Sequence, residues 1–223
     1  MTNHYRPSRE GPLPQRVIRG PCDEGQELDR LMLHDETRLD EILGAAETLF
    51  RTKGYRSTSM ADVAEACHFQ KAALYYHFAS KEALALAVMK RVQTFSEKII
   101  FSFAYDPSLK PLDKLLKLNE ALEAYYLSGH GGCLFAAFAI EQMDTIPSFT
   151  APIQQYFNSW SKAYETIFLD VFNSDKAHAL AEGLVSDLQG ALLMLRVTQD
   201  PKHLYRLFGE SRQLLLSGPS GEN

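Results

Sequence analysis

Residues 58–82 read TSMADVAEACHFQKAALYYHFASKE, and their spacing is that of two short helices joined by a tight turn, followed by the start of a third. Ser59 is placed to cap the first helix, with Asp62 three residues on as its capping partner and as an anion near the helix N-terminus. Met60, Val63, Ala64 and Cys67 recur at i, i+3, i+4 and i+7, one face of a helix. Ala61, Ala64 and Ala66 are small enough for a second helix to approach closely. His68 falls where the chain must turn, and His tolerates a positive φ better than most side chains. Phe69 is expected to anchor the second helix, with Ala72, Ala73 and Tyr76 on its inner face and Gln70, Lys71, Leu74 and Tyr75 toward the outside. Ser80, ahead of Lys81 and Glu82, reads as a fresh N-cap, so the second helix ends near His77 and Phe78. This is the layout of a helix-turn-helix, whose second helix enters the major groove of DNA.

The surrounding residues carry a resemblance. Ile42 to Phe50 contribute Ile-Leu, Ala-Ala and Leu-Phe pairs; Gly54 to Ala64 contribute Gly-Tyr, Thr-Ser-Met and Asp-Val-Ala; Lys71 to Leu84 contribute Lys, Ala-Leu-Tyr-Tyr-His-Phe and Ser-Lys-Glu-Ala-Leu. From Arg38 to Ala87 the chain resembles the DNA-binding domain of the TetR family of transcriptional regulators. His68 stands where that family usually has Gly, Phe69 where it has Val, and Gln70 where it often has Ser or Thr; Ala72 commonly alternates with Gly. These departures touch the turn and the base-reading positions, and so the operator sequence more than the fold. The resemblance implies an all-α chain: a three-helix DNA-binding domain joined by a long fourth helix to a helical ligand-binding and dimerisation domain. It also implies that Tyr76 and Lys81 touch the DNA backbone.

Base reading falls to the polar ends of the recognition helix. Gln70 pairs bidentately with adenine and Lys71 suits guanine. Tyr75, Tyr76, His77 and Lys81 are suited to phosphate contacts, and Thr58 and Ser59 add one at a helix N-terminus. Tyr76 has an alternative reading, burial against the first helix.

Charge agrees with a defined binding face. The net charge of the 223 residues is −5, which argues weakly against a general nucleic-acid binder. Residues 36–91 carry eight Lys/Arg against seven Asp/Glu, whereas residues 92–223 carry ten against fifteen. The three cysteines, Cys22, Cys67 and Cys133, are too few and too odd for a disulfide framework and point to the cytosol. No apolar run has the length of a membrane span, and the N-terminus has no signal-peptide apolar region.

Outward from the helix-turn-helix, residues 1–34 are rich in Pro and Gly and lack a period. They read as a disordered tail, with Arg6, Arg9, Arg16 and Arg19 available as a minor-groove arm, or as an artefact of the assigned start, Met32 being another. A first helix begins at Asp35 on a stripe of Leu39, Ile42, Leu43, Ala46, Leu49 and Phe50, and Gly54 stops it. A fourth helix is expected from Lys81 to about Phe103, and the break at Pro107 and Pro111 divides a DNA-binding domain (35–95) from a C-terminal domain (96–217), with a short tail at 218–223. Further helices are expected at 112–127, 133–143, from Pro147 or Pro152 to about 172, 175–197, and from Asp200-Pro201 onward. No β pattern or internal repeat is visible.

The last two expected helices are very apolar. Leu184, Leu188, Leu192, Leu195, Leu204, Leu207 and Phe208 either pack within the chain or, as the resemblance implies, form a four-helix bundle with the same pair of a second copy. The effector pocket that the resemblance implies would be lined by Leu122, Tyr125, Tyr126, Phe135, Phe138, Met143, Phe157, Trp160 and Tyr164; plain core is the alternative. Gly132 to Glu141 resembles a Gly-Cys-Leu…Glu signature of one subset of the family. Cys133, at a helix start, has the placement that lowers a thiol pKa and would make it an electrophile or redox sensor; a small buried hydrophobe is the other reading. Glu141 would orient a polar effector or pair with a cation. Catalytic constellations are not found: His130-Gly131-Gly132 has no Gly-x-Ser-x-Gly elbow to serve, His130 and Cys133 have no second ligand pair for a metal, and no nucleotide loop calls for a cofactor. The expected function is a sequence-specific DNA-binding regulator, a repressor released by a small molecule; the alternatives are a Cys133-based sensor or an all-helical enzyme or carrier.

Overall fold

The computed structural model describes residues 38–128 and 132–218; the expected tail at 1–34, the residues of the final tail beyond Gly218, and His130 lie outside them. From Leu39 onward the chain forms one compact unit. All regular elements among the described residues are helical.

Helix α1 (residues 38–53) buries Ile42, Ala46 and Phe50 and ends at Gly54, whose φ of +85° closes the helix in a conformation suited to glycine. Helix α2 (Met60–Ala66) starts with a complete capping box: Ser59 accepts from the Asp62 backbone while the Asp62 carboxylate accepts from the Ser59 backbone. His68 makes the turn at φ 58°. Helix α3 (Lys71–His77) follows, and Ser80 caps α4 (Lys81–Phe95) by accepting from Ala83 N at 3.0 Å.

Two details differ from the sequence reading. The inner face of α3 is carried by Leu74 and, just after the helix, Phe78; Ala72 and Ala73 are exposed and Tyr76 is 86% exposed. Leu74 and Phe78 are four residues apart and so share a face, which puts Tyr76 on the opposite side. The fourth helix is also not a single α-helix to Phe103. It ends at Phe95, continues as a π-helical turn (Ser96–Ile100), and closes as a 3₁₀ segment (Phe101–Tyr105).

After the Pro107 loop, Pro111 opens α5 (Pro111–Leu127) from its first turn. Helix α6 (Leu134–Gln142), a 3₁₀ turn at Pro147–Phe149, α7 (Thr150–Leu169), α8 (Ser174–Thr198) and α9 (Lys202–Leu216) complete the chain. Helix α7 packs on α8, and α8 on α9. Trp160, Tyr164 and Phe168 on α7 are fully buried at the centre of this layer. No helix among the described residues is long and apolar enough to cross a membrane.

Candidate nucleic-acid interface

The recognition unit presents a polar, aromatic outer surface. Gln70 is the N-cap residue of α3 but its amide makes no capping hydrogen bond, so the side chain is available to a base edge. Gln70 and Lys71 are exposed, Tyr75 is 45% exposed, and Tyr76 projects furthest, with His77 edge-on against its ring. Ser59 is exposed at the start of α2, whereas Thr58 is buried and its hydroxyl donates to the Gly54 carbonyl at 2.8 Å. Thr58 thus builds the turn ahead of α2. Lys81 is engaged as well: its ammonium donates to the Tyr55 carbonyl at 2.9 Å and lies 4.2 Å from the centre of the Tyr55 ring. Burial lowers its pKa, the nearby carboxylates of Glu141 and Asp62 opposing the effect.

Tyr55 links this unit to the C-terminal helices. Its ring meets Phe138 of α6 at 5.6 Å and Phe149 edge-on at 5.3 Å, and Phe50 meets Phe138 at 5.5 Å. Glu141, one turn beyond Phe138, accepts from the backbone N–H of Arg56 at 3.1 Å, while the Arg56 guanidinium donates to the Glu141 carbonyl at 3.2 Å. A Cβ at Gly54 would run into the Glu141 carboxylate. Glu141, expected in an effector pocket, instead clamps the turn that precedes α2. The other end of α6 is held by Arg51, 2% exposed, which donates to the Gly132 carbonyl at 2.8 Å, to Glu47 at 3.1 Å and to the Tyr125 hydroxyl. Tyr125 donates in turn to Glu47, and Arg91 of α4 bonds the second Glu47 oxygen at 2.8 Å and Asp40 at 2.9 Å. Sequence reading missed this network; its signal is a set of paired charges on α1 and α4 with no apolar role.

The expected pocket residues come together as a closed aromatic core. Leu122, Tyr126, Phe135, Phe138, Trp160 and Tyr164 are buried, Phe157 and Met143 partly so. Phe135 stacks on Tyr156 at 3.9 Å and 8°, and Trp160 lies between Phe101 and Tyr126. Tyr125 instead borders an open cleft of about 970 Å³ between α1, α4 and the π-turn, together with Leu43, Glu47, Lys90 and Phe95. Cys133 is the N-cap residue of α6, yet it is 5% exposed and burial raises its pKa; the helix start does not win because the thiol is out of reach of water.

The expected interface leucines need correction. Leu184, Leu188, Leu192, Leu204 and Leu207 are buried against their own chain, and Leu195 and Phe208 are half-buried. The apolar stripe of α8 is spent on α7 and α9. What the two helices leave outside is a second row: Leu193, Val197, Tyr205 and Leu216, with Gly183, Gly190 and Gly209 exposed between them.

Comparison with known proteins agrees with this geometry. The sequence profile of bacterial regulatory proteins of the tetR family matches residues 42–88, and that of the LmrA/YxaF-like transcriptional regulator C-terminal domain matches residues 117–209. An HTH-type transcriptional regulator in the lacX 3' region of Lactococcus lactis subsp. lactis is 31% identical over 173 residues, which cover 72% of this chain and 84% of that protein. The HTH-type transcriptional repressor DhaR of Mycobacterium sp. (strain GP1) is 25% identical over 181 residues, 78% and 89% of the two chains. The crystal structure of a TetR transcriptional regulator from Legionella pneumophila superposes with a TM-score of 0.73 at 25% identity, covering 78% of this chain and 95% of the other. A helix-turn-helix with an exposed recognition face, joined to a helical C-terminal domain and matched along both parts, makes this chain a DNA-binding transcriptional regulator that belongs to the TetR family.

Proposed function

We propose that this chain is a cytoplasmic homodimeric repressor that leaves its operator when a small molecule enters the C-terminal helices, and that it is not an enzyme. The DNA-binding domain is assigned to residues 35–95 and the effector and dimerisation domain to 96–217. Gln70 and Lys71 read bases; Ser59, Tyr75, Tyr76 and His77 contact phosphates, and Lys81 joins them while bracing Tyr55. Two recognition helices related by a two-fold axis then meet major grooves about 34 Å apart or a multiple of it.

The single observation that carries the regulated reading is the direct attachment of α6 to the turn before α2. Phe138 is packed against Phe50 and Tyr55, and Glu141 is bonded to Arg56, so a shift of α6 moves the recognition unit with it. A ligand acts through such a linkage only if it binds the two states unequally; a 100-fold difference corresponds to about 2.7 kcal/mol of coupling. The repressor sign is supported by DhaR, a repressor. Deleting the gene and measuring transcription of the genes next to the operator tests it: transcription should rise, and a fall would make the protein an activator. The Cys133 sensor reading is disfavoured, because a buried thiol with a raised pKa is a poor nucleophile at neutral pH.

A further inference from the structure

The buried polar groups of the C-terminal helices do not all find partners. Ser96 Oγ, Tyr126 Oη and Trp160 Nε1 are buried without a hydrogen bond. Ser96 and Trp160 are 0% exposed and Tyr126 is 4% exposed. Such orphans are rare in a folded interior, since each forfeits its hydration for nothing in return.

Two of the three converge. The Tyr156 hydroxyl is the polar neighbour of both Tyr126 and Ser96, and the Cys133 thiol adjoins the two tyrosines. Trp160 turns its N–H toward Tyr164 instead, and the Tyr164 hydroxyl donates to Asn119 at 2.7 Å. Its ring nevertheless stacks on Tyr126 at 6.2 Å and 18°, which makes it a wall of the same place. Three elements meet there: the π-turn through Ser96, α5 through Tyr126 and α7 through Tyr156. A cavity of about 450 Å³, bordered by Thr52, Tyr126, Leu127, Arg196 and Gln199, reaches Tyr126 from the α8 side. That volume lies within the range of small-molecule sites.

The chemistry of the cluster selects its guest. Two phenols and a serine hydroxyl are all able to donate, and a thiol donates weakly. The buried Arg51 guanidinium adds positive potential at both tyrosines and the thiol. An incoming acceptor is therefore favoured. A full negative charge is not, because Arg51 already holds Glu47 and a second anion would be buried without a cation of its own. The surrounding rings of Phe101, Phe135 and Trp160 suit a flat or apolar body.

Resting on the effector reading above, we propose that Ser96, Tyr126 and Tyr156 form the hydrogen-bonding floor of the effector site, and that the effector is a small uncharged molecule carrying a carbonyl-type acceptor on an aromatic or apolar body. Occupancy acts directly on the helix that supports the DNA-reading unit, because Ser96 opens the π-turn that prolongs α4. π-turns concentrate at functional sites, where the looser ladder can re-form.

Trp160 is the sole tryptophan, so its emission reports on the wall of the site. The full-length protein is titrated with acetophenone, with ethylbenzene as a match lacking the acceptor, and with benzoate as the charged counterpart. Acetophenone is expected to bind about 10-fold tighter than either, the value of one well-formed hydrogen bond. Tyr126→Phe and Ser96→Ala, which keep the ring and the fold, should each shrink that preference while leaving ethylbenzene binding unchanged. Equal affinity for acetophenone and ethylbenzene, or a preference that survives in both variants, overturns the proposal and leaves an apolar effector pocket standing. Tightest binding of benzoate also overturns it. If none of the three alters Trp160 emission the proposal falls, whereas the effector reading itself falls only if added small molecules never change operator-driven transcription in cells.

Discussion

Gln70 and Lys81 stand nine residues apart and do different work. Gln70 is exposed and caps nothing, so Gln70→Ala should relax specificity at one base pair at a cost of about 1–3 kcal/mol and leave folding intact. Lys81 is held between the Tyr55 carbonyl and the Tyr55 ring. Lys81→Ala should weaken binding to all sequences alike, reduce the salt slope by about 1, and lower the urea midpoint as the Tyr55 turn loosens. Site selection with each variant separates the two roles, and a changed consensus for Lys81→Ala would invert the assignment. Cys133 carries its own test. Burial raises its pKa in the folded chain, so the thiol's contribution to stability is present below its unfolded value of about 8.5 and is lost as pH rises through the folded value. A thiol reagent at pH 7 should reach Cys67, which is partly exposed, well before Cys133, and Cys133→Ser should respond to effector as the wild type does. Rapid labelling of native Cys133 would restore the sensor reading.

Helix α6 is short, nine residues, and is fixed at both ends by groups from α1 and the turn after it. Gly54 is the tightest point. Its φ of +85° and the carboxylate of Glu141 over its open face together exclude a side chain. Gly54→Ala should therefore destabilise the chain by about 1–3 kcal/mol, from backbone strain plus the collision. Glu141→Ala in the same molecule should recover part of that loss, because it removes the collision and leaves only the strain; a double-mutant cycle in urea measures the recovered part. Strictly additive losses would mean that the carboxylate does not press on Gly54. Much at this scale was legible in the residues. Ser59 with Asp62, Ser80, Gly54 and His68 each announce a cap or a turn through chemistry confined to a few positions. The inner face of α3 was not legible, because seven residues give two turns, and Leu74, Tyr76 and Phe78 are all apolar enough to face inward. The π-turn at Ser96 has no side-chain signature either. The bond from Arg56 to Glu141 spans 85 residues, and no local pattern encodes it.

At the level of the whole molecule the question is what the outer row of α8 and α9 is for. An interface of buried leucines would require the monomer to open, since Leu188 and Leu204 are each 1% exposed against their own chain. The sequence marked the right helices and the wrong face, because both faces of α8 are apolar and periodicity alone does not rank them. Gly183, Gly190 and Val197 recur every seven residues on the exposed side, and Leu193 and Val197 are 60% and 70% exposed. Across from them α9 exposes Tyr205, Gly209 and Leu216. Small residues alternating with apolar ones on two neighbouring helices let a two-fold partner approach closely and bury the row. A Cβ at Gly190 would meet nothing within 4 Å, so a side chain there has room in the isolated chain and obstructs only a partner. Gly190→Arg is accordingly expected to fold with an unchanged helical signal, to run as a monomer by light scattering at micromolar concentration, and to lose about 100-fold or more in operator affinity, because each half-site is then bound without the effective concentration of the other. Leu193→Glu should do the same. A Gly190→Arg protein that stays dimeric and binds operator normally would move the interface off this row.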